Sequence, residues 1–290
     1  MEKILSLYIV DAFVSKHNFS GNPAAVCILN SDDEIEDNLK QKIAAEVNLS
    51  ETAFVSHRND NQYTLRWFTP TVEVGLCGHA TLATAFVLFN NLKNAQQLTF
   101  HLKSSKILNA EIDREKRLIS VKFPALFPKN IAIESVSGLP EIVENVLIGS
   151  EASVKSLLYS EEVQYLIIHL NENIEYLQNL KPNFDKLQTI ETNGIIKAVG
   201  VTVDSGEKEI DYFARFFAPW LGVNEDPVTG SLHTILGPYW CELKQKKIVV
   251  AKQESKRTGI LLCELIDNVV SLRGKCDEFL SGELKIQVNK

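Results

Sequence analysis

The 290-residue sequence lacks the motifs that mark several common kinds of enzyme. It has no G-x-G-x-x-G, no glycine-lysine phosphate loop, no H-E-x-x-H and no G-x-S-x-G. Its five cysteines are scattered, without a C-x-x-C pair or the Cys/His spacing of a zinc site. We therefore expect no nucleotide cofactor, no metal and no serine-hydrolase mechanism, and a reducing, cytoplasmic environment.

Neither charged nor apolar residues are concentrated in one part of the chain. No block of like charges interrupts a net charge of −7, and no apolar run is long enough to span a membrane. The first residues, Met1 to Ile4, do not have the pattern of a signal peptide. With 45% apolar and 23% charged residues, the composition is that of a globular protein. These properties argue against nucleic-acid and membrane partners.

Two segments in different halves of the chain follow one plan. Arg66-Trp67-Phe68-Thr69-Pro70 leads to a run that begins at Gly78, and Arg215-Phe216-Phe217-Ala218-Pro219 leads to one that begins at Gly230. Each copy reads as an arginine-aromatic strand, a proline, a polar loop and a glycine that opens an apolar helix. Since helix N-termini bind anions, we expect a small carboxylated ligand held between two similar halves.

The two runs that follow these glycines predict buried helices. Gly78 to Phe89 and Gly230 to Cys241 are apolar on nearly all sides, although Pro238 lies inside the second run or ends it. Most of the remaining sequence indicates strands, and the pattern breaks at Phe123 to Pro128. We therefore predict an α+β fold with domains 1–123 and 124–282, each a curved sheet or barrel around a central helix.

Polar residues near the two predicted helix starts are candidates for a site. His79 follows Gly78, and a lone histidine there is more commonly a half-buried cap, but the matching turn also carries Asp226 and Ser231. Glu51 stands among small polar residues before an apolar strand. A solvated glutamate is the ordinary alternative, whereas a carboxylate at the mouth of an apolar pocket has a raised pKa and can transfer protons near neutral pH.

Cys77 precedes Gly78 at the first helix start. A thiol in this position can be acidified by the helix dipole, although a buried cysteine is more often a small hydrophobic residue. The corresponding turn of the second copy contains no cysteine. A symmetric exchange between two thiols is therefore not available.

Six sequence blocks together resemble one family, the phenazine-biosynthesis PhzF-like isomerases. They appear in the order found in that family and span essentially the whole chain. The blocks are Asp11-Ala12-Phe13, Gly21-Asn22-Pro23-Ala24-Ala25-Val26, Ser50-Glu51-Thr52-Ala53-Phe54, Phe68-Thr69-Pro70, Cys77-Gly78-His79-Ala80-Thr81 and Glu225-Asp226-Pro227-Val228-Thr229-Gly230-Ser231.

The resemblance implies a fold similar to diaminopimelate epimerase, with the active site in the cleft between two alike domains. In such folds the last strand, here Glu283 to Val288, often returns to the first domain. It also implies a homodimer that needs no cofactor and moves a proton within an unsaturated carboxylic acid. The acid-base glutamate corresponds to Glu51, with His79 and Asp226 as further catalytic residues.

The resemblance also assigns the carboxylate site. Gly78, Gly230 and Ser231 correspond to the residues at the helix starts that bind the substrate. The epimerase relatives use two cysteines, whereas Cys77 has no partner here, which favours a single acid-base residue. Two alternatives remain open: an amino-acid epimerase or racemase that uses Cys77 as a base, and a non-catalytic small-molecule-binding protein.

Overall fold

The computed structural model describes residues 2–15, 19–29, 35–148 and 152–287. These residues fall into two units, Met1–Phe123 with Leu272–Lys290, and Pro124–Ser271. The expected last strand starts earlier than the sequence indicates, and Val288, its expected end, lies outside the described residues. No helix in the described part of the chain has both the length and the apolar character needed to cross a membrane.

The first stretch of chain, up to residue 123, supplies most of the first unit. Its elements are β1 (Glu2–Ala12), β2 (Asn22–Leu29), α1 (Asp37–Val47), β3 (Thr52–Asn59), β4 (Gln62–Phe68), β5 (Glu73–Val74), α2 (Gly78–Asn91), β6 (Gln97–Leu102), β7 (Ile107–Asp113) and β8 (Leu118–Pro124).

The remaining chain supplies the second unit and the return strand. Its elements are β9 (Lys129–Asn130), α3 (Leu139–Val146), β10 (Val154–Ser160), β11 (Tyr165–Leu170), α4 (Ile174–Asn179), α5 (Phe184–Thr189), β12 (Ala198–Asp204), β13 (Tyr212–Phe217), α6 (Gly230–Lys244), β14 (Ile248–Gln253), β15 (Gly259–Ile266), β16 (Val269–Gly274) and β17 (Cys276–Gln287).

The two units share one order of strand pairing. In the first, β2 and β3 are parallel, β3 and β4 antiparallel, β4 and β6 parallel, and β6 and β7 antiparallel. In the second, β11 and β12 are parallel, β12 and β13 antiparallel, β13 and β14 parallel, and β14 and β15 antiparallel. The predicted duplication and the α+β class are therefore confirmed.

Helix α2 forms the interior of the first unit. Ten of its residues are buried, and it packs against β1, β2, β3 and β7. Two buried threonines satisfy their hydroxyls within the helix, since Thr81 donates to the Cys77 carbonyl and Thr84 to the Ala80 carbonyl. A helix apolar on all sides is stable only when it is enclosed, as the sequence predicts.

Helix α6 has the same place in the second unit, packed against β14 and β15. It continues through Pro238 to Lys244, beyond the predicted end at Cys241. Gly237 allows the close approach to β15, because a Cβ atom there would lie 2.8 Å from Cys263 Cβ. Both central helices therefore begin at the predicted glycines.

The last strand belongs to the first unit. β17 runs antiparallel to β1 over its whole length, from Glu2 opposite Gln287 to Ala12 opposite Cys276. It begins at Cys276, whereas the sequence indicates a start at Glu283. The difference has a physical reason: residues 277–283 are exposed, so no alternation of buried and exposed side chains marks them as a strand.

Candidate active site

The start of α2 brings Cys77 and His79 into the interior of the first unit. Cys77 immediately precedes the helix, His79 lies in its first turn, and both side chains are buried. The Cys77 side chain makes no capping hydrogen bond to the helix. The first-turn N–H groups thus have no side-chain cap, which is the arrangement in which a helix start can bind an anion.

His79 is the centre of a polar cluster. Its Nε2 atom lies 3.1 Å from Glu51 Oε2 and 3.3 Å from Ser50 Oγ. Its Nδ1 atom lies 3.2 Å from Asn22 Nδ2 and 3.5 Å from Cys77 Sγ. His79 is therefore not a half-buried cap, because both ring nitrogens face polar groups from other parts of the unit.

Glu51 is held in place by its backbone. It lies just before β3, and its carbonyl accepts a hydrogen bond of 3.0 Å from the Ala25 N–H. Its side chain is 18% exposed, and the buried Oε2 atom has no hydrogen-bond partner among the described residues. The 3.1 Å separation from His79 is that of an ion pair, but its direction does not satisfy the oxygen as a hydrogen-bond acceptor.

The pKa of Glu51 differs from the expectation. Burial raises the pKa of Glu51, but the charge of the neighbouring His79 ring, with smaller contributions from the polar groups of Ser50 and Cys77, outweighs burial and lowers the pKa below the ordinary 4.5. The expected raised pKa is therefore wrong for this structure. The physical reason is that an opposite charge within a few ångströms favours the ionised carboxylate.

The pKa values of His79 and Cys77 are also changed by burial and by their neighbours. Burial opposes the charged ring, but Cys77 and Glu51 together raise the pKa of His79 well above 6.5. Burial and the Glu51 charge also raise the pKa of the Cys77 thiol, contrary to acidification by the helix dipole. These directions favour an ionised Glu51 paired with a protonated His79.

The Asn22 amide must match the charge of His79. A protonated ring donates from Nδ1, yet the amide nitrogen of Asn22 faces that atom at 3.2 Å. Amide oxygen and nitrogen are assigned from their hydrogen bonds, and a half-turn of the amide places Oδ1 opposite Nδ1–H. The turned amide would accept from the imidazolium, and its Nδ2 would then face Ser50 Oγ, which lies 3.5 Å from Oδ1 in the present orientation.

Glu51, Cys77 and His79 also offer ligand atoms of types that bind zinc, all within 4.8 Å of one another. Cys77 lies beside Nδ1 of the ring, however, and Glu51 lies beside Nε2. A metal ion binds one nitrogen of a given imidazole, so an ion shared by all three side chains requires their rearrangement. The present geometry suits proton transfer better than metal binding.

The start of α6 holds the predicted residues of the second unit. Thr229 precedes the helix, and its hydroxyl donates to Asp226 Oδ2 at 2.5 Å. The Asp226 N–H donates to the Phe216 carbonyl at 3.1 Å. Ser231, in the first turn, has its hydroxyl 3.2 Å from the Tyr165 hydroxyl. The Asp226 carboxylate is thus fixed beside a helix start that opens at Gly230.

Each unit holds the loop before its central helix with an arginine. Arg66 Nε and Nη2 donate to the two oxygens of Glu73 at 2.7 and 2.9 Å. Arg215 makes the same two bonds, with the same lengths, to Glu225, the residue before Asp226. Paired hydrogen bonds of this kind fix both orientation and distance. The arginine common to the two sequence copies therefore has one structural role in both units.

The structure divides the predicted residues between the two units. Glu51, Cys77 and His79 lie close together near Gly78, whereas Asp226, Gly230 and Ser231 lie at the start of α6. Sequence reasoning missed the contacts of Asn22 and Ser50 with His79, although both residues stand in recognised blocks. It also missed Gln253, a fully buried residue of β14 that bonds to the Asp226–Thr229 turn.

A family model described as phenazine biosynthesis-like protein matches residues 10–281. A Halalkalibacterium halodurans protein described as an uncharacterized isomerase is 42% identical over 96% of this chain and 97% of its own. The crystal structure of a PhzF family protein from Enterococcus faecalis has a TM-score of 0.84 and 35% identity, covering 97% of this chain and 99% of that one. A hydroxyproline epimerase from Agrobacterium vitis shares the fold alone, with a TM-score of 0.58 and 7% identity over 98% and 93% of the two chains.

Proposed function

The chain belongs to the phenazine biosynthesis-like family of PhzF-type isomerases, and we propose that it moves a proton within a small carboxylic acid, with Glu51 as the acid-base residue. Glu51 takes the proton from one carbon of the substrate and returns it to another. We propose that the reaction proceeds without a cofactor, because Glu51 and the substrate's own unsaturated system suffice to exchange the proton.

One observation carries this proposal. Glu51 Oε2 is buried, has no hydrogen-bond partner among the described residues, and lies 3.1 Å from His79. A buried polar atom without a partner costs about 1–3 kcal/mol. An oxygen kept in this state has a free lone pair for a ligand, and a substrate C–H or an acid proton is the partner that it lacks.

His79 and the burial of the site set the strength of Glu51 as a base. An ionised Glu51 begins the cycle, as its lowered pKa requires. A substrate that displaces the remaining water strengthens the desolvation of the carboxylate, which raises its pKa and makes it a better base. After proton removal, the electron pair spreads into the conjugated acid, and the neutral carboxylic acid of Glu51 then delivers the proton elsewhere.

The proposed substrate-binding groups are the N–H groups at the starts of α2 and α6, at Gly78 and Gly230, with the Ser231 hydroxyl. Helix starts without a side-chain cap stabilise an anion through their dipole and free N–H groups. Asp226, fixed by Thr229, orients the substrate. We propose that these groups bind the substrate carboxylate, as the duplicated sequence suggests.

The test is proton exchange in deuterated water. A panel of unsaturated carboxylic acids is incubated with the parent protein and with Glu51→Gln, and deuterium uptake is followed by mass spectrometry. Loss of a general acid-base residue lowers turnover by roughly 10²-fold or more, so the variant should be nearly inactive on any acid that the parent exchanges. Parental rates in Glu51→Gln would exclude Glu51 as the acid-base residue.

Epimerisation with Cys77 as a base is the second candidate, since Cys77 Sγ lies 3.5 Å from His79 Nδ1. The raised pKa of the thiol opposes it, and Thr229 takes the position before α6 that Cys77 takes before α2. Under the leading proposal, Cys77→Ser retains exchange within a few-fold of the parent. Loss of exchange in Cys77→Ser with retention in Glu51→Gln would favour the epimerase.

Two further points complete the proposal. We propose a homodimer, on the resemblance to the family, and sedimentation equilibrium at several protein concentrations measures it. A non-catalytic binding protein is distinguished by the exchange experiment, because such a protein binds an acid from the panel without deuterium uptake into it.

A further inference from the structure

Gln253, the last residue of β14, is fully buried beside the start of α6. Its Oε1 atom accepts a hydrogen bond of 2.9 Å from the Thr229 N–H. Its Nε2 atom donates to the Asp226 carbonyl at 2.7 Å and to the Thr229 hydroxyl at 3.2 Å. One side chain thereby holds both ends of the turn that carries Asp226 and leads into α6.

The orientation of the Gln253 amide is fixed by the backbone. The Thr229 N–H is only a donor and the Asp226 carbonyl only an acceptor, so a reversed amide would oppose like groups at both. Because Oε1 must face Thr229, the His233 Nε2 atom 3.2 Å from it carries the hydrogen. All hydrogen-bonding positions of the Gln253 amide are then occupied.

The directions of the next hydrogen bonds, at His233 and Tyr212 in the core, can be assigned in the same way. Burial lowers the pKa of His233 to about 4, so the ring is neutral and Nδ1 is an acceptor. The Tyr212 hydroxyl, 2.8 Å away, donates to Nδ1. A second tie comes from Ser255, whose hydroxyl donates to the Pro227 carbonyl at 2.7 Å. The turn before α6 is thus bound to the core by a connected set of hydrogen bonds in which every donor has an acceptor.

The first unit shows that the fold itself does not require these polar residues. Gln253 pairs with Ala214, the residue before Arg215. In the first unit, Leu65 precedes Arg66 and pairs with Leu102, so Leu102 corresponds to Gln253. His233 lies three residues after Gly230, and the corresponding residue after Gly78 is Thr81. The Thr81 hydroxyl donates to the Cys77 carbonyl at the start of its own helix. Buried polar groups are costly, and an apolar residue fills the corresponding strand position.

We propose that Gln253 is a positioning residue that sets the Asp226–Thr229 turn so that the first N–H groups of α6 bind the substrate carboxylate. This role rests on the function proposed above. Gln253 does not touch the substrate. It acts through Asp226 and Thr229, and His233 and Tyr212 keep its amide in the required orientation.

Sulfate titration followed by amide NMR at Gly230 and Ser231 tests this role without turnover. In Gln253→Met, a residue of similar length without the amide, sulfate should bind about tenfold more weakly or worse, since a misplaced turn misdirects the N–H groups. Leu102→Met, the same replacement at the corresponding position of the first unit, is the control and should bind sulfate as the parent does. Thermal unfolding of both variants confirms that they fold.

A second variant provides a pH signature and covers a failure of Gln253→Met to fold. An ionised glutamate in Gln253→Glu accepts from Thr229 but cannot donate to the Asp226 carbonyl, whereas its protonated form can. Burial raises the pKa of the introduced carboxyl, so sulfate affinity relative to the parent should be near parental below that pKa and fall as pH rises through it. A merely structural role gives no such recovery.

Parental sulfate affinity in Gln253→Met, or in Gln253→Glu at a pH above the pKa of the introduced carboxyl, would overturn the role of Gln253. A parent protein whose Gly230 and Ser231 amides ignore sulfate would overturn it as well, because the turn would then present no anion site. Both results are independent of the Glu51→Gln exchange experiment, which decides the proposed reaction.

Discussion

His79 Nε2 lies 3.1 Å from Glu51 Oε2, with both groups in the interior of the first unit. Each charge supports the other: the ring lowers the pKa of the carboxylate, and the carboxylate helps to raise the pKa of the ring. Burial opposes the charged form of both residues, so each pKa shift depends on the neighbouring polar and charged groups. The pair is therefore the electrostatic unit of the candidate site.

Removal of the Glu51 charge should reverse the shift of His79. In Glu51→Gln the ring loses one of the two neighbours that raise its pKa, while Cys77 remains, so the pKa of His79 should fall below its value in the parent. Two-dimensional NMR of the histidine rings across a pH series measures this change. An unchanged His79 titration would show that Glu51 does not charge the ring.

The same pair predicts a pH window of stability. The pKa of Glu51 is lower in the folded protein than its ordinary 4.5, so its contribution is present above 4.5 and is lost as pH falls through the lowered value. The pKa of His79 is raised above 6.5, so its contribution is complete below 6.5 and is lost as pH rises through the raised value. Urea unfolding should give the largest parent-minus-Glu51→Gln difference between these two pH values. A difference that is constant with pH would contradict the pairing.

Sequence patterns were most informative where structure is local. A glycine followed by a long apolar run predicted the starts of α2 and α6 correctly, because a helix enclosed on all sides needs apolar residues on every face. The general prediction of strands did not locate β6 and β7 individually, although buried residues alternate with more exposed ones along most of their length. Residues 277–283 gave no signal at all, since their pairing with distant β1 defines them as a strand.

The sequence predicted which residues form the candidate site, but it did not predict the direction of the pKa shift of Glu51. Glu51 and His79 stand in separate sequence blocks, and the sign of the Glu51 pKa shift depends on their separation in space. From the sequence alone only burial could be inferred, and burial acts in the opposite direction. Gln253 had no signal either, since its partners Asp226 and Thr229 become neighbours only through the pairing of β13 with β14.

Gly237 should be required for the packing of α6. A Cβ atom at this position would lie 2.8 Å from Cys263 Cβ of β15, which is too close unless the helix or the strand shifts, whereas Val270 Cγ2 of β16 at 3.4 Å would be an ordinary contact. Gly237→Ala should therefore destabilise the protein by about 1–3 kcal/mol, less the small gain in helix propensity of alanine. Chemical denaturation measures the change. Gly75→Ala, where nothing lies within 4 Å of the new Cβ, is the control and should leave stability nearly unchanged. Parental stability in Gly237→Ala would show that α6 and β15 are less closely packed.

Gly230 should be required for anion binding rather than for folding. It is the first residue of α6, and a valine there places two methyl groups beside the N–H groups that we assign to the substrate carboxylate. Each helix start contributes about 0.3–1 kcal/mol to binding an anion, and more when partly buried, so a blocked start should weaken sulfate binding several-fold or abolish it. Amide NMR at Ser231 measures the affinity, and thermal unfolding measures the fold. Gly75→Val, a matched replacement in open space before α2, should leave both unchanged. If Gly230→Val bound sulfate with parental affinity while remaining folded, the anion site would lie away from the start of α6.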